Sequence, residues 1–468
     1  MSLLARIFRR EQLDRYLETD KKFIKTMSAF DLIALGIGAV IGTGIFILPG
    51  TVAATKAGPG IIISFIVAAI VCSTAAMCYA EFASALPVAG SAYSYGNLVF
   101  GEIIGWILGW ALILEYVLAV AAVSSAWGAY FQSFLAGFHI GFPKAISGPF
   151  VPSQGTYGNL IAIIIVVLIS WMLNQGMRSS VRLNNIIVVV KIGIILLFIV
   201  VGLFYIKPSN WHPFLPFGWH SAHGGVLGGA AAVFFAYLGF DAVSSSAAEV
   251  KNPKKNMPIG IIGTLIVATI LYVGVSIVLT GMVSYTKLNV SDPVAFALQF
   301  VHLNWVAGII SLGALAGMFT MMVTMIYSSS RLIYSIGRDG LLPKFLGKLD
   351  KKGSPRNSMI TITIIIAFMG GFVPLEQLTN LVNIGTLIAF LFVSFGIIPL
   401  RRNKEIQNHH GYQVPWYPVL PIVSGLLCML MLSQLQAETW IASGIWFAFG
   451  LVLYFSYGIR HSQLGKNN

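Results

Sequence analysis

The chain has 468 residues, 57% of them hydrophobic and only 10% charged, with a mean hydropathy of +0.83, a composition that excludes an ordinary soluble domain. A net charge of +13 would suit a nucleic-acid partner, but Lys and Arg sit in short links between apolar runs, so nucleic acid is not expected and the charge reads as a topology signal. The eight histidines fall in expected loops or tails, and Cys72, Cys78 and Cys428 lie inside apolar runs without ligand spacing. No metal, cofactor or disulfide framework is therefore expected.

Residues 1–25 carry Arg6, Arg9, Arg10, Arg15, Lys21, Lys22 and Lys25 and lack the apolar core of a signal peptide. They are expected to lie on the membrane as a cytoplasmic amphipathic segment. Apolar runs of roughly 20 residues, enough to cross ~30 Å of hydrocarbon, then recur. Twelve spans are predicted, near 30–54, 59–85, 100–131, 158–174, 181–206, 224–248, 258–284, 303–336, 357–374, 377–400, 416–435 and 439–459. With both termini cytoplasmic, Lys56, Lys144, Lys207 and Lys287 fall outside, Lys191 falls within a span, and the remaining Lys and Arg lie inside. An odd number of spans would scramble that asymmetry.

The first span contains GIGAVIGTGIF, where Gly36, Gly38, Gly42 and Gly44 weaken the helix. Backbone groups freed at membrane depth must be satisfied by protein, water or ligand, so a break there lines a cavity. Gly36 and Gly38 are read as packing residues, and Gly42 and Gly44, flanking Thr43, as the break. The sixth span, HGGVLGGAAAVFFAYLGFDAV, is irregular as well. Interruptions at corresponding positions of two halves point to inverted repeats with a midplane site. Ile41, Gly42, Thr43, Gly44 and Ile45 are expected to bind the substrate, with the amides of Thr43, Gly44 and Ile45 holding a carboxylate. Carbonyls around Phe235, Ala236 and Gly239 are expected to take an ammonium, so an α-amino acid fits better than a sugar or a simple ion.

Met321, Met325 and Ser328 share one face of the eighth span. If that face meets the pocket, Met321 keeps it apolar and shallow, favouring small neutral side chains. Lys191, deep in NNIIVVVKIGIILLF, is a functional hypothesis by its depth alone. It is expected to carry a driving proton, donating to freed carbonyls of span 1 and to the hydroxyls of Ser328 or Ser329. Glu115 in span 3 either lines the pocket or pairs structurally, and Asp241 is read as structural or gating. Glu81, Glu102 and Glu249, near span ends, are expected to be interfacial and reached by water.

Four ordered motifs carry a family resemblance: GIGAVIGTGIFILPG, CYAEFASALPVAGSAYSYG, FFAYLGFDAVSSSAAEVKNPKKNMPIGI and RLIYSIGRDGLLPKFLGKLDKKGSPRNS. Over about residues 26–400 the chain resembles the amino acid–polyamine–organocation transporters, and most of all their cationic amino acid transporter branch. The resemblance implies an all-α polytopic membrane protein of twelve helices: repeats at 26–206 and 207–400 with broken helices 1 and 6, then two peripheral helices and a short tail over 401–468. It also implies alternating access, with Gly42, Thr43 and Gly44 matching the carboxylate-binding turn, Phe235 the aromatic gate and Met321 a pocket-lining position. Lys191 matches the lysine that stands at the sodium site of proton-coupled members. Two departures stand out: animal members of the cationic branch usually have fourteen spans, and no further acid faces the side-chain pocket unless Glu115 does.

The expected activity is proton-coupled symport of small neutral L-amino acids such as alanine, with cationic amino acids left open and an exchanger on the same fold as the rival. No clustered His, Cys or carboxylates suggest an enzyme. The expected partners are the amino acid, the proton and the bilayer of the plasma or inner membrane; an accessory membrane subunit is left open.

Overall fold

The computed structural model describes residues 7–10, 25, 27–86, 91–137, 139–175, 181–220, 224–245, 247–350, 354–403 and 411–463, and these are mostly helical. Most of the expected N-terminal amphipathic segment lies outside them. Helix α1 (Ala29–Val40) starts from Ser28, whose hydroxyl accepts from the Asp31 amide while the Asp31 carboxylate accepts from the Ser28 amide at 2.9 Å. Asn185 donates to the other Asp31 oxygen at 2.9 Å, tying the start of α1 to a helix far along the chain.

The backbone leaves the helix at Ile41 and re-enters it in α2 (Thr43–Phe46) and α3 (Leu48–Val52). A π turn at Ala53–Ala57 leads on to α4 (Ile61–Ala85). Then come α5 (Ser91–Val99), α6 (Glu102–Ala136), an antiparallel hairpin of β1 (Ser147–Val151) and β2 (Thr156–Asn159), α7 (Leu160–Asn174) and α8 (Val181–Leu203). Helix α9 (Gly225–Val233) tightens into a 3₁₀ turn at Phe234–Tyr237, is broken at Leu238, and resumes as α10 (Phe240–Ser245). The rest is α11 (Pro253–Met282), α12 (Pro293–Phe300), α13 (Asn304–Arg338), α14 (Arg356–Phe372), α15 (Leu375–Arg402), α16 (Val419–Ser433) and α17 (Ala437–Leu453).

Among the described residues, seven helical runs are long and apolar enough to cross a membrane, and α1, α7, Gly225–Tyr237, α14 and α16 are shorter apolar helices. The two segments that carry the expected glycine breaks are among the short ones. Burial runs opposite to a soluble protein's need: large aliphatic side chains point outward, with Ile270 66% and Ile445 67% exposed. Such a surface needs hydrocarbon around it. Helix α6 is the most buried of the long helices and α8 and α17 lie outermost, and the short α2 packs on the 3₁₀ turn, on α6 and on α13.

Two of the expected interfacial acids are corrected by their partners. Glu81 is fully buried because Arg401 grips it through Nε and Nη2, each at 2.7 Å, and the Val414 amide donates to it at 2.7 Å. Glu102 is fully buried, accepting from Arg9, from the Tyr454 hydroxyl at 3.0 Å and from Ser462 at 2.7 Å. Glu249, 3.9 Å from Arg331, keeps partial exposure as expected. Removing one partner of a buried pair strands the other charge at a cost of about 3–5 kcal/mol. Glu81→Gln is therefore expected to lower the melting temperature in detergent clearly, and Glu81→Gln with Arg401→Met to recover part of the loss. An unchanged melting temperature for the single variant would contradict this.

Candidate functional site

The two breaks meet. A Cβ on Gly44 would lie 2.6 Å from both Cα and Cβ of Ala236, so only glycine lets α2 approach the 3₁₀ turn this closely. Gly239 has φ +111°, and a Cβ there would sit 3.0 Å from the carbonyl carbon and oxygen of Ala39. Each break thus supplies a glycine that admits the other's backbone, which explains the paired glycines physically.

At the start of α2 the amides of Thr43, Gly44 and Ile45 are the first donors of a helix and have no partner within the described chain. Gly42 caps them without a side chain. The Thr43 hydroxyl is buried and has no hydrogen-bond partner among the described residues. Such an orphaned buried polar atom calls for a specific explanation, and a ligand is one. Gly42 faces α6 and α13: a Cβ there would be in ordinary contact with Met321 Cγ at 3.5 Å and Val123 Cγ2 at 3.7 Å. Met321, Phe235 and Ala236 are all buried. Ile45 instead turns, with Phe46, into a dry apolar seam against Ile194, Phe198 and Val275.

Lys191 is 1% exposed, and its Nζ donates to the Ile41 carbonyl at 2.8 Å and to the Gly38 carbonyl at 3.3 Å. These are carbonyls that the end of α1 leaves free. Gly38, read from the sequence as a packing residue, thus supplies an acceptor. The stem of Lys191 crosses α13 at Gly317, whose Cβ would come 2.8 Å from Lys191 Cε.

Not every expected residue joins this cluster. Ser328 and Ser329 lie at least 11 residues beyond Gly317 on α13, about 16 Å along the axis. The Ser329 hydroxyl donates back to the Met325 carbonyl at 2.6 Å. The structure therefore brings Lys191 to span 1 but not to these serines. Glu115 is buried beside Asp241 and near Thr386, and Tyr116 donates to Asp241 at 2.8 Å. No hydrogen bond from Glu115 reaches either break. Val123, which lies beside Gly42, was not singled out by the sequence, because α6 is apolar nearly all round and its pattern marks no face.

Helices long and apolar enough to cross a bilayer, an apolar exterior and two helices broken opposite each other make this a multi-pass integral membrane protein, and its family and relatives make it a transporter rather than an enzyme. The chain belongs to the amino acid permease family, whose model matches residues 27–456, and so to the amino acid–polyamine–organocation superfamily. It is 49% identical over 467 residues to the methylthioribose transporter of Bacillus subtilis (strain 168), covering 99% of this chain and 100% of that one. It is 46% identical over 451 residues to the branched-chain amino acid permease BcaP of the same organism, 96% of either chain. The cationic amino acid transporter 9, chloroplastic, of Arabidopsis thaliana is 35% identical over 423 residues, 88% of this chain and 72% of that one.

Proposed function

We propose that this permease is a proton-coupled symporter of small neutral or branched aliphatic L-amino acids. In this reading twelve passages cross the cell membrane with both termini cytoplasmic, and residues 26–206 and 207–400 form inverted repeats that alternate access to a site between the breaks. The substrate carboxylate takes the amides of Thr43, Gly44 and Ile45 with the Thr43 hydroxyl, and its ammonium takes carbonyls of the Phe235–Gly239 turn. Met321 and Val123 face the side chain, and their apolar surface fits an aliphatic group. The similarity to a branched-chain amino acid permease supports the same substrate class.

The observation that carries the coupling is Lys191 seated on the carbonyls of Gly38 and Ile41. A protonated lysine there fixes the end of α1 by charge-assisted hydrogen bonds, and loss of the proton weakens them. The test is purified protein in liposomes, offered labelled alanine, leucine and lysine under separately imposed pH and sodium gradients. Uptake driven by an acid exterior is expected for alanine or leucine. Uptake driven by sodium without a proton response would refute the coupling, and uptake only against internal amino acid would favour an exchanger.

A second reading rests on the 49% identity to a methylthioribose transporter. The apolar wall at Met321 and Val123 also suits a thioether methyl, but a neutral sugar leaves the three amide donors without an anion. Methylthioribose belongs in the same panel, and its uptake in preference to every amino acid would displace the amino acid reading.

A further inference from the structure

One buried hydroxyl touches both breaks. Tyr272 on α11 is fully buried, and its Oη lies 2.6 Å from the Ala236 carbonyl oxygen of the 3₁₀ turn and 3.1 Å from the Val40 carbonyl oxygen at the end of α1. A phenol has one proton, so it can make only one of these bonds fully at a time. The ring cannot drift: it packs against Phe65 at 5.4 Å between centroids and edge-on against Tyr237 at 5.2 Å, and Tyr237 itself donates to the Phe65 carbonyl at 3.0 Å. The hydroxyl is thus held at a fixed place between two acceptors on two helices.

The two acceptors differ in what surrounds them. Ala236 is the residue against which Gly44 abuts, so its carbonyl stands at the junction of the breaks. Val40 precedes Ile41, whose carbonyl holds Lys191. We propose that Tyr272 is a positioning residue that reports substrate occupancy from one break to the other. In the empty site its proton rests on the nearer Ala236 carbonyl. A substrate ammonium that donates to that carbonyl competes for it, and the phenolic proton rotates to Val40, tightening the end of α1 beside the Lys191 cradle. No covalent bond changes; the proton stays on the Tyr272 oxygen throughout.

The proposal rests on the reading of the breaks as an amino acid site, but not on which ion drives it. Its signature is a split between binding and turnover. Tyr272→Phe removes the proton and keeps the ring, so the affinity for labelled leucine or alanine should stay within about threefold, since no competitor for Ala236 remains. The maximal rate, of gradient-driven uptake or of counterflow exchange, should fall about tenfold or more. Thr280→Val, which removes another buried hydroxyl of α11, one that donates to the Ser276 carbonyl and touches neither break, should keep the wild-type rate in protein of matched melting temperature. An unchanged rate in Tyr272→Phe would overturn the proposal. So would affinity and rate falling together with the melting temperature, the mark of a packing role alone. If the wild type binds neither amino acid, the substrate reading fails and the proposal fails with it; if the wild type exchanges without a pH response, only the symport reading fails and counterflow still scores Tyr272.

Discussion

Lys191→Ala is expected to bring pH-driven accumulation of amino acid to background while leaving counterflow exchange within a few-fold of wild type. In the structure Lys191 Nζ is the group that satisfies the Gly38 and Ile41 carbonyls at the end of α1. A hydrogen bond to a charged group contributes about 1.5–3 kcal/mol, which corresponds to about 10- to 150-fold in the balance between two arrangements of that helix end. With alanine at 191 the protonated and unprotonated states no longer differ at this site, so an acid exterior has nothing to act on. Exchange needs only that loaded carriers cross in both directions and does not need the ion.

The alanine variant also leaves the space of a lysine stem between α1, α8 and α13, where Gly317 now packs against it. Lys191→Met separates the two effects, because its side chain fills most of that space without a charge. Both variants should lose the pH response. If Lys191→Met accumulates amino acid under a pH gradient as well as wild type, the proton is carried elsewhere. Counterflow should persist in Lys191→Met even where Lys191→Ala is impaired by the cavity.

Much of this site was legible in the sequence because its logic is local. Glycines crowded into an apolar span signal a break wherever they occur, and Gly42 to Gly44 and Gly239 do mark the points where α1 and the 3₁₀ turn end. A lysine among eight apolar neighbours signals burial, and Lys191 is buried against the carbonyls of span 1 as expected. What helical periodicity could not supply was axial position. Ser328 shares a face with Met321, but Lys191 crosses α13 at Gly317, more than two turns away from either serine.

Partners distant in sequence left no local trace. Glu81 and Arg401 are 320 residues apart, and an acid near a span end looks interfacial until its arginine is seen. Tyr272 is one tyrosine within a long apolar helix; only the meeting of two broken helices gives its hydroxyl two acceptors.

The second large effect is expected at Gly44. Gly44→Ala places a methyl group 2.6 Å from the Cα and Cβ of Ala236 and 3.4 Å from its carbonyl oxygen. The Cα belongs to backbone, which cannot swing aside as a long side chain can, so α2 and the 3₁₀ turn must separate. Overpacking of this kind costs about 1–3 kcal/mol, or about 5- to 150-fold in an equilibrium. The amides of Thr43 and Gly44 and the carbonyl of Ala236 then no longer face one substrate at bonding distance, so affinity should fall by that factor, more steeply than thermal stability. Gly228→Ala on α9 is the matched control, because a Cβ there meets nothing within 4 Å. It should bind and transport as wild type does, and helix propensity favours it slightly. Substrate-dependent stabilisation against heat measures both variants on one scale: Gly44→Ala should lose the substrate shift while Gly228→Ala keeps it. A full substrate shift in Gly44→Ala would place the binding site away from the meeting of the two breaks.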